Sequence, residues 1–143
     1  MTESCTTRAT PEPPAGFTPY VAASAFLVTL APLYSRVGPD GTTTLGLWLG
    51  PQHINHQQAA HGGVLATLAD NALGFNVARA LGQPIATAHL SIDYLNRASA
   101  GEWLEIASRV VKRGRRMAFA DCTGTVGERM IFRANGIFSV INA

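Results

Sequence analysis

The sequence predicts an α+β fold in which a curved antiparallel sheet wraps around one long central helix. Apolar residues recur at helical spacing over residues 64–81, which predicts the helix. Four strand-like segments follow at residues 85–95, 103–112, 116–126 and 130–141, with Gly101, Gly114 and Gly127 in the turns between them. Because strands joined by short turns pair antiparallel, we expect one sheet that covers the apolar face of the helix.

The first part of the chain predicts a tail, a short helix and a hairpin. Residues 1–16 hold three prolines among small polar residues, which predicts a disordered tail ahead of a single domain at residues 17–143. Residues 19–30 predict a short helix that ends before Pro32. Residues 33–37 and 42–49 flank the turn sequence Gly-Pro-Asp-Gly and therefore predict a β-hairpin.

Composition excludes several classes of protein. The chain has 143 residues and a net charge of only +2, and it has no basic face interleaved with aromatic residues, so we expect no nucleic-acid partner. We expect no membrane partner and a cytoplasmic location, because no apolar run reaches membrane length and no basic-then-apolar signal begins the chain. Cys5 and Cys122 are too few for a disulfide framework, which fits a reducing compartment.

The most informative segment runs from Asn55 to Asp70. His61-Gly62-Gly63 leads into the long helix, and residues 59–61 include no Ser, Thr, Asp or Asn to cap it. We therefore expect the first N–H groups of the helix to remain available for a partially negative oxygen, such as that of a polarised carbonyl. Asp70 follows two turns later in an otherwise apolar run, where a carboxylate is costly unless it has partners or a chemical role.

These residues carry a resemblance to a known family. Asn-x5-His-Gly-Gly-x6-Asp, followed by a strand with Thr87 and Asp93-Tyr94, resembles the hotdog-fold thioesterases of the phenylacetate-degradation (PaaI-like) type. A Gly-Glu-x-Leu turn at residue 101, the run Val-Val-Lys-Arg-Gly-Arg at residues 110–115 and the pattern Arg-Ala-x-Gly-x-Phe in the last strand agree in order. The resemblance covers residues 20 to 142.

The resemblance implies a hotdog fold, an acyl-CoA thioesterase activity and a set of site residues. The Gly62 N–H would stabilise the oxyanion, and Asn55 would polarise or position the thioester. Asp70 would activate water as a general base, or attack the carbonyl itself to form an anhydride. Thr87 would orient the water, since Gly74 stands where many relatives place a hydroxyl. The site would be assembled across the interface of a homodimer or of a homotetramer made of dimers.

Several of these residues have two interpretations. Asn55 is equally suited to capping a turn. His61 has either a structural place in the loop or a contact with a ligand. Asp70 is also suited to a polar contact between the two copies of a dimer. Thr87 is also an ordinary strand residue.

Basic residues near the fourth and fifth predicted strands suggest how the phosphates of CoA are held. Arg113 and Arg115 lie on the same side of the chain if the turn at Gly114 is tight, and guanidinium groups bind phosphate well. Arg97 is a further candidate, and Gly63 is assigned to CoA binding next to the Gly62 donor. A solvated, charged turn is the alternative interpretation of this basic run.

Other chemistries are disfavoured by the sequence. His53, His56 and His61 fit no zinc spacing, so we expect no metal. The chain has no Gly-x-Ser-x-Gly elbow, no phosphate-binding P-loop and no dinucleotide fingerprint, so we expect no cofactor other than the CoA moiety of the substrate. The acyl group is expected to be aryl or medium-chain. Alternative functions are a hotdog dehydratase or hydratase acting on hydroxyacyl thioesters, and a non-catalytic acyl-CoA-binding protein.

Overall fold

A computed structural model describes residues 10–141 of the chain. The strands are β1 (Thr18–Tyr20), β2 (Leu33–Val37), β3 (Thr43–Trp48), β4 (Ile85–Tyr94), β5 (Trp103–Arg113), β6 (Met117–Val126) and β7 (Arg129–Val140). The helices are α1 (Ala25–Val28), a short 3-10 helix (Pro51–His53) and α2 (Gly62–Leu81). The predicted α+β class, the hairpin and the four later strands are confirmed, and no strand bound differs from the predicted one by more than one residue.

The seven strands form one antiparallel sheet in the order β1-β2-β3-β5-β6-β7-β4. Helix α2 packs against β3, β5, β6, β7 and β4. Five strands at roughly 4.8 Å spacing are wider than one helix, so the sheet must curve to reach it. The order also puts β4, the strand that follows α2, at an edge of the sheet where it pairs with β7 on one side.

The core lies between α2 and this sheet. Leu68, Leu73 and Val77 on the helix are fully buried, as are Phe132 and Phe138 on β7. The helix ends at Leu81 and is followed by Gly82, whose φ of 64° lies in the left-handed region that glycine adopts without strain. It begins at Gly62, two residues before the predicted start.

The predicted helix over residues 19–30 is wrong in most of its length. Residues 18–20 form the edge strand β1, in which Pro19 lies opposite Tyr34 of β2. Proline is tolerated in an edge strand because its missing N–H removes no central ladder bond. Ser24 then caps α1, which runs for only four residues. Pairing with β2 therefore outweighs the helical spacing of the apolar residues.

The predicted tail, residues 1–16, lies partly outside the described residues. Within the described part, the Trp48 indole N–H donates to the Glu12 carbonyl at 3.2 Å, and Phe17 packs edge-on against Trp103. The boundary between tail and domain stays a prediction. No helix in the described range is long and apolar enough to cross a membrane.

Candidate active site

Asp70 and Thr87 meet between α2 and the edge strand β4. The Thr87 hydroxyl donates to Asp70 Oδ1 at 2.6 Å, a short bond of the kind that a charged acceptor forms. A bulge at Ala88 shifts the β4–β7 register directly after Thr87, and such bulges change the direction of neighbouring side chains. Asp70 is half-buried, and among the described residues Thr87 is the only hydrogen-bond donor to its carboxylate. One carboxylate oxygen is thus held in place while the other can accept a proton.

A side chain caps one of the two glycine N–H groups at the start of α2. His61 Nδ1 accepts a hydrogen bond from the Gly63 N–H at 2.9 Å, so the expectation that no side chain caps this helix was wrong. Its imidazole acts as the cap because the extended backbone of His61 turns the ring back toward the first turn. The Gly62 N–H has no acceptor among residues 10–141, whereas the Gly63 N–H is committed to the cap.

Tyr94 at the end of β4 holds the first turn of α2, a role that the sequence did not reveal. Its hydroxyl donates to the Gly62 carbonyl at 2.7 Å. A Cβ atom added to Gly62 would lie only 3.2 Å from the ring carbon that bears this hydroxyl. The only signal in the sequence was the place of Tyr94 beside Asp93 at a strand end, which does not show what the ring contacts.

Asn55 and Arg97 hold the loop that precedes α2. Asn55 Oδ1 accepts from the backbone N–H groups of Gln57 and Ala59, at 2.8 and 3.2 Å. The Arg97 guanidinium donates to the Gln57 carbonyl of the same loop. The oxygen of Asn55 is therefore used by the turn, and its amide NH2 is the group that remains for other partners.

Gly62 and Asp70 are too far apart in one chain to act on the same carbonyl. Eight residues separate them on α2, and at a rise of 1.5 Å per residue this is about 12 Å along the helix axis. A carbonyl oxygen that accepts from the Gly62 N–H would therefore lie several ångströms beyond the reach of Asp70 in the same chain.

The structure does not bring Arg113 and Arg115 together. A bulge at Val111 shifts the β5 register, and the Arg113 guanidinium donates to the Ala80 carbonyl at the end of α2, at 3.3 Å. Arg113 lines a cavity of about 520 Å³ with Asp40 and Arg79. Arg79 is nine residues, or about two and a half turns, beyond Asp70 and so faces the opposite side of α2.

Arg115 lines a different cavity of about 540 Å³ with Lys112 and Arg116. The expectation that Arg113 and Arg115 face the same side depended on a tight turn at Gly114. Strand β5 ends at Arg113 and Arg115 lies in the turn, so the alternation of a strand does not relate the two side chains, and they line different cavities.

His53 has a structural role. Its ring is buried, its Nδ1 accepts from the Gly50 N–H at 2.9 Å, and its Nε2–H donates to the Leu30 carbonyl at 2.8 Å. Burial lowers the pKa of this imidazole, which keeps it neutral. Within residues 10–141 no three His, Cys, Asp or Glu side chains come together as a metal site would require.

Comparison with known proteins gives the family. Residues 57–132 match the model of the thioesterase superfamily. The chain is 40% identical over 127 residues to the Pseudomonas aeruginosa protein named "Putative esterase PA0474", and the match covers 87% of this chain and 95% of that relative.

Solved structures of similar fold include two proteins named as thioesterases. Zebra fish thioesterase superfamily member 2 has a TM-score of 0.77 and 26% identity, over 83% of this chain and 89% of that one. A hypothetical thioesterase of Streptococcus pneumoniae, solved with coenzyme A, has a TM-score of 0.67 and 29% identity, over 70% and 81%. Two further structures of that protein carry alanine in place of an aspartate and of a threonine.

The PaaI protein of the Escherichia coli phenylacetic acid degradation operon shares the fold at 22% identity and a TM-score of 0.66, over 71% of this chain and 73% of that one. The hotdog fold expected from the resemblance is confirmed. The chain therefore belongs to the thioesterase superfamily and is a hotdog-fold thioester hydrolase.

Proposed function

We propose that this protein hydrolyses acyl-CoA thioesters to a free acid and CoA, with Asp70 activating the attacking water. The observation that carries the proposal is the 2.6 Å hydrogen bond from Thr87 to a half-buried Asp70 carboxylate. The thioester hydrolase family supports the reaction type, and the CoA in the S. pneumoniae relative supports the carrier.

Asp70 has the geometry of a general base. Thr87 fixes Oδ1, which leaves Oδ2 to accept a proton from water as the water oxygen attacks the thioester carbonyl. The tetrahedral intermediate then expels the CoA thiolate, which takes up the proton. Direct attack of Asp70 to form an anhydride is the alternative course, and water would then hydrolyse that intermediate. The aspartate and threonine replaced by alanine in the S. pneumoniae protein are the same residue types as this pair.

The Gly62 N–H is proposed as the oxyanion donor. It lacks an acceptor among the described residues, and the cap from His61 and the bond from Tyr94 hold the turn that carries it. A donor fixed in this way stabilises the developing negative charge by about 3 kcal/mol. The amide NH2 of Asn55 is proposed to contact the thioester from the adjoining loop.

Because about 12 Å of helix separates Gly62 from Asp70, the proposed site needs two copies of the chain. In the part of the chain that the structure describes, strand β4 has one unpaired edge along its ten residues, and such edges pair readily with a second strand. Two α2 helices that run antiparallel about a two-fold axis near Ala66 would set Gly62 of one copy opposite Asp70 of the other. A homodimer is thus the smallest active unit in this proposal, and a tetramer would be a pair of such dimers.

The phosphates of CoA are proposed to contact the basic turn around Gly114. Arg97 and Arg113 donate to backbone carbonyls, whereas Lys112, Arg115 and Arg116 make no ion pair or hydrogen bond to another described side chain. Of Arg97, Arg113 and Arg115, Arg115 is therefore the strongest candidate for binding the phosphates. We also propose a cytoplasmic enzyme that needs no cofactor besides the CoA of its substrate.

Thiol release from a panel of aryl- and alkyl-CoA esters tests the proposal. We expect release by the wild type and a loss of about 100-fold or more in Asp70→Asn. Asp121→Asn is the matched control, because Asp121 lies on β6 within the sheet and pairs with Arg109 on β5. Near-normal activity of Asp70→Asn would reject Asp70 as the base. Tight binding of every ester without thiol release would instead establish a binding protein.

A further inference from the structure

A cavity of about 390 Å³ lies between α1, the loop after β3 and the first turns of α2. Its walls come from Phe26 and Leu30 on one side, Ile54 on the loop, and Val64 and Thr67 on the helix. Its volume falls in the range of small-molecule pockets. Gly63 also lines it, so the cavity begins one residue after the Gly62 N–H.

The lining has no charged group that would pair with a charged ligand. It contains no carboxylate, lysine or arginine. The polar side chains around it are used within the protein: His61 Nδ1 accepts from Gly63, the Thr67 hydroxyl donates to the Gly63 carbonyl, and the Gln52 amide donates to the Ala31 carbonyl. A buried charge without a partner is costly, so the cavity disfavours an anionic group.

The walls are tied together by His53. Its ring bonds link Leu30, two residues after α1, to Gly50, and its carbonyl accepts from the His61 N–H at 2.8 Å. Three segments that surround the cavity are thus bonded to one buried residue. A preformed pocket of this kind loses little conformational entropy when it binds a ligand.

The exposure of Phe26 is accounted for by the same cavity. The side chain is 63% exposed even though its neighbour Leu27 is buried, and it forms the outer wall of the cavity. An apolar ligand would cover part of this ring. Val28 on the same helix is similarly exposed at 58% but does not line the cavity.

From these observations we infer that the cavity binds the acyl group of the substrate, that this group is uncharged and apolar, and that Phe26 sets its preferred length. The inference rests on the proposed function, because it starts from a thioester carbonyl at Gly62. Each methylene buried in the cavity should then raise kcat/KM about fourfold, until the cavity is full.

Acyl-CoA chain length and charge test this inference. Wild type, Phe26→Ala and Val28→Ala are assayed with acetyl-, butyryl-, hexanoyl-, octanoyl- and succinyl-CoA. We expect kcat/KM of the wild type to rise from acetyl to octanoyl. Butyryl-CoA should exceed succinyl-CoA by about a hundredfold, because the two acyl groups have equal carbon counts and differ by a carboxylate. Phe26→Ala should reduce the octanoyl-to-butyryl ratio about fivefold, and Val28→Ala should leave it within about twofold of the wild type.

Binding separates failure of this inference from failure of the proposed function. The same esters are titrated into Asp70→Asn, with and without Phe26→Ala, by calorimetry. Turnover with a chain-length ratio unchanged by Phe26→Ala, or with succinyl-CoA as good as butyryl-CoA, would overturn the inference and leave the function standing. Binding that strengthens with chain length and depends on Phe26, with no turnover by the wild type, would reject the function and keep the pocket.

Discussion

Because about 12 Å separates Gly62 from Asp70 along the helix, we predict that two inactive variants of the chain restore activity when they form a mixed dimer. The first defect is Gly62→Pro, which removes the proposed oxyanion N–H. Gly62 is the first residue of α2, where proline is well tolerated, and the extended backbone of His61, with ψ of 131°, suits a residue before proline. The second defect is Asp70→Asn, which removes the proposed base.

The magnitude of the effect follows from symmetry. Gly62→Pro alone should lower kcat by about 10²- to 10³-fold, the usual loss for one oxyanion donor. In a two-fold dimer with Gly62 from one copy and Asp70 from the other, a mixed dimer has one site with both residues intact and one site with neither. Random mixing makes half of the dimers mixed, so the activity should recover to about a quarter of the wild-type value.

The assay is thiol release after the two variants are unfolded in urea, mixed in equal amounts and refolded together, with each variant refolded alone as the reference. Gly62→Ala is the matched control, because it places the same Cβ atom against Tyr94 but keeps the N–H. If the mixture is no more active than the sum of its parts, although mass spectrometry of the intact dimers detects the mixed species, Gly62 and Asp70 do not act across an interface and the reasoning fails.

Three further predictions concern single residues. Thr87→Ala should lower kcat by about 10- to 100-fold with little change in KM, since a hydrogen bond to a charged group contributes about 1.5–3 kcal/mol. Gly124→Ala should lower the free energy of unfolding by about 1–3 kcal/mol in urea titrations, because its Cβ would lie 2.1 Å from the buried ring of Phe132. The free energy of unfolding should also fall as the pH drops below about 6.5, because burial lowers the pKa of His53 in the folded chain and the unfolded chain takes up the proton first.

Each of these predictions has its own control. Thr87→Ser keeps the hydroxyl and should retain most of the activity, so equal losses in the two Thr87 variants would refute the hydrogen-bond argument. If Gly124→Ala left the urea midpoint of unfolding unchanged, the ring of Phe132 would have to move without a cost in free energy, and the packing argument would fail. His56 is exposed, and His56→Gln should keep the acid slope of stability that His53→Gln loses. A slope that persists in His53→Gln would assign the proton to another group.

Much of the fold was predictable because its signals are local. The period of 3.6 in residues 64–81 and the glycines between the later strands depend on neighbouring residues alone, and the structure agrees with both. The helix predicted over residues 19–30 failed for the opposite reason. Pairing of Thr18–Tyr20 with β2 is a contact between segments more than ten residues apart, and helical spacing carries no information about it.

The candidate site divides in the same way. The sequence by itself determined which groups are candidates for the chemistry, since an aspartate in an apolar helix is costly without a role and a glycine pair at the helix start leaves room for a ligand oxygen. Only the tertiary structure decided their hydrogen-bond partners. Thr87 donates to Asp70, the imidazole of His61 accepts from the Gly63 N–H, and Tyr94 donates to the Gly62 carbonyl. Those contacts depend on strand order, on a bulge and on side-chain direction, which a linear pattern does not encode. The spacing of eight residues was visible in the sequence, but it supports the proposal of a two-chain site only because one uninterrupted helix spans both residues.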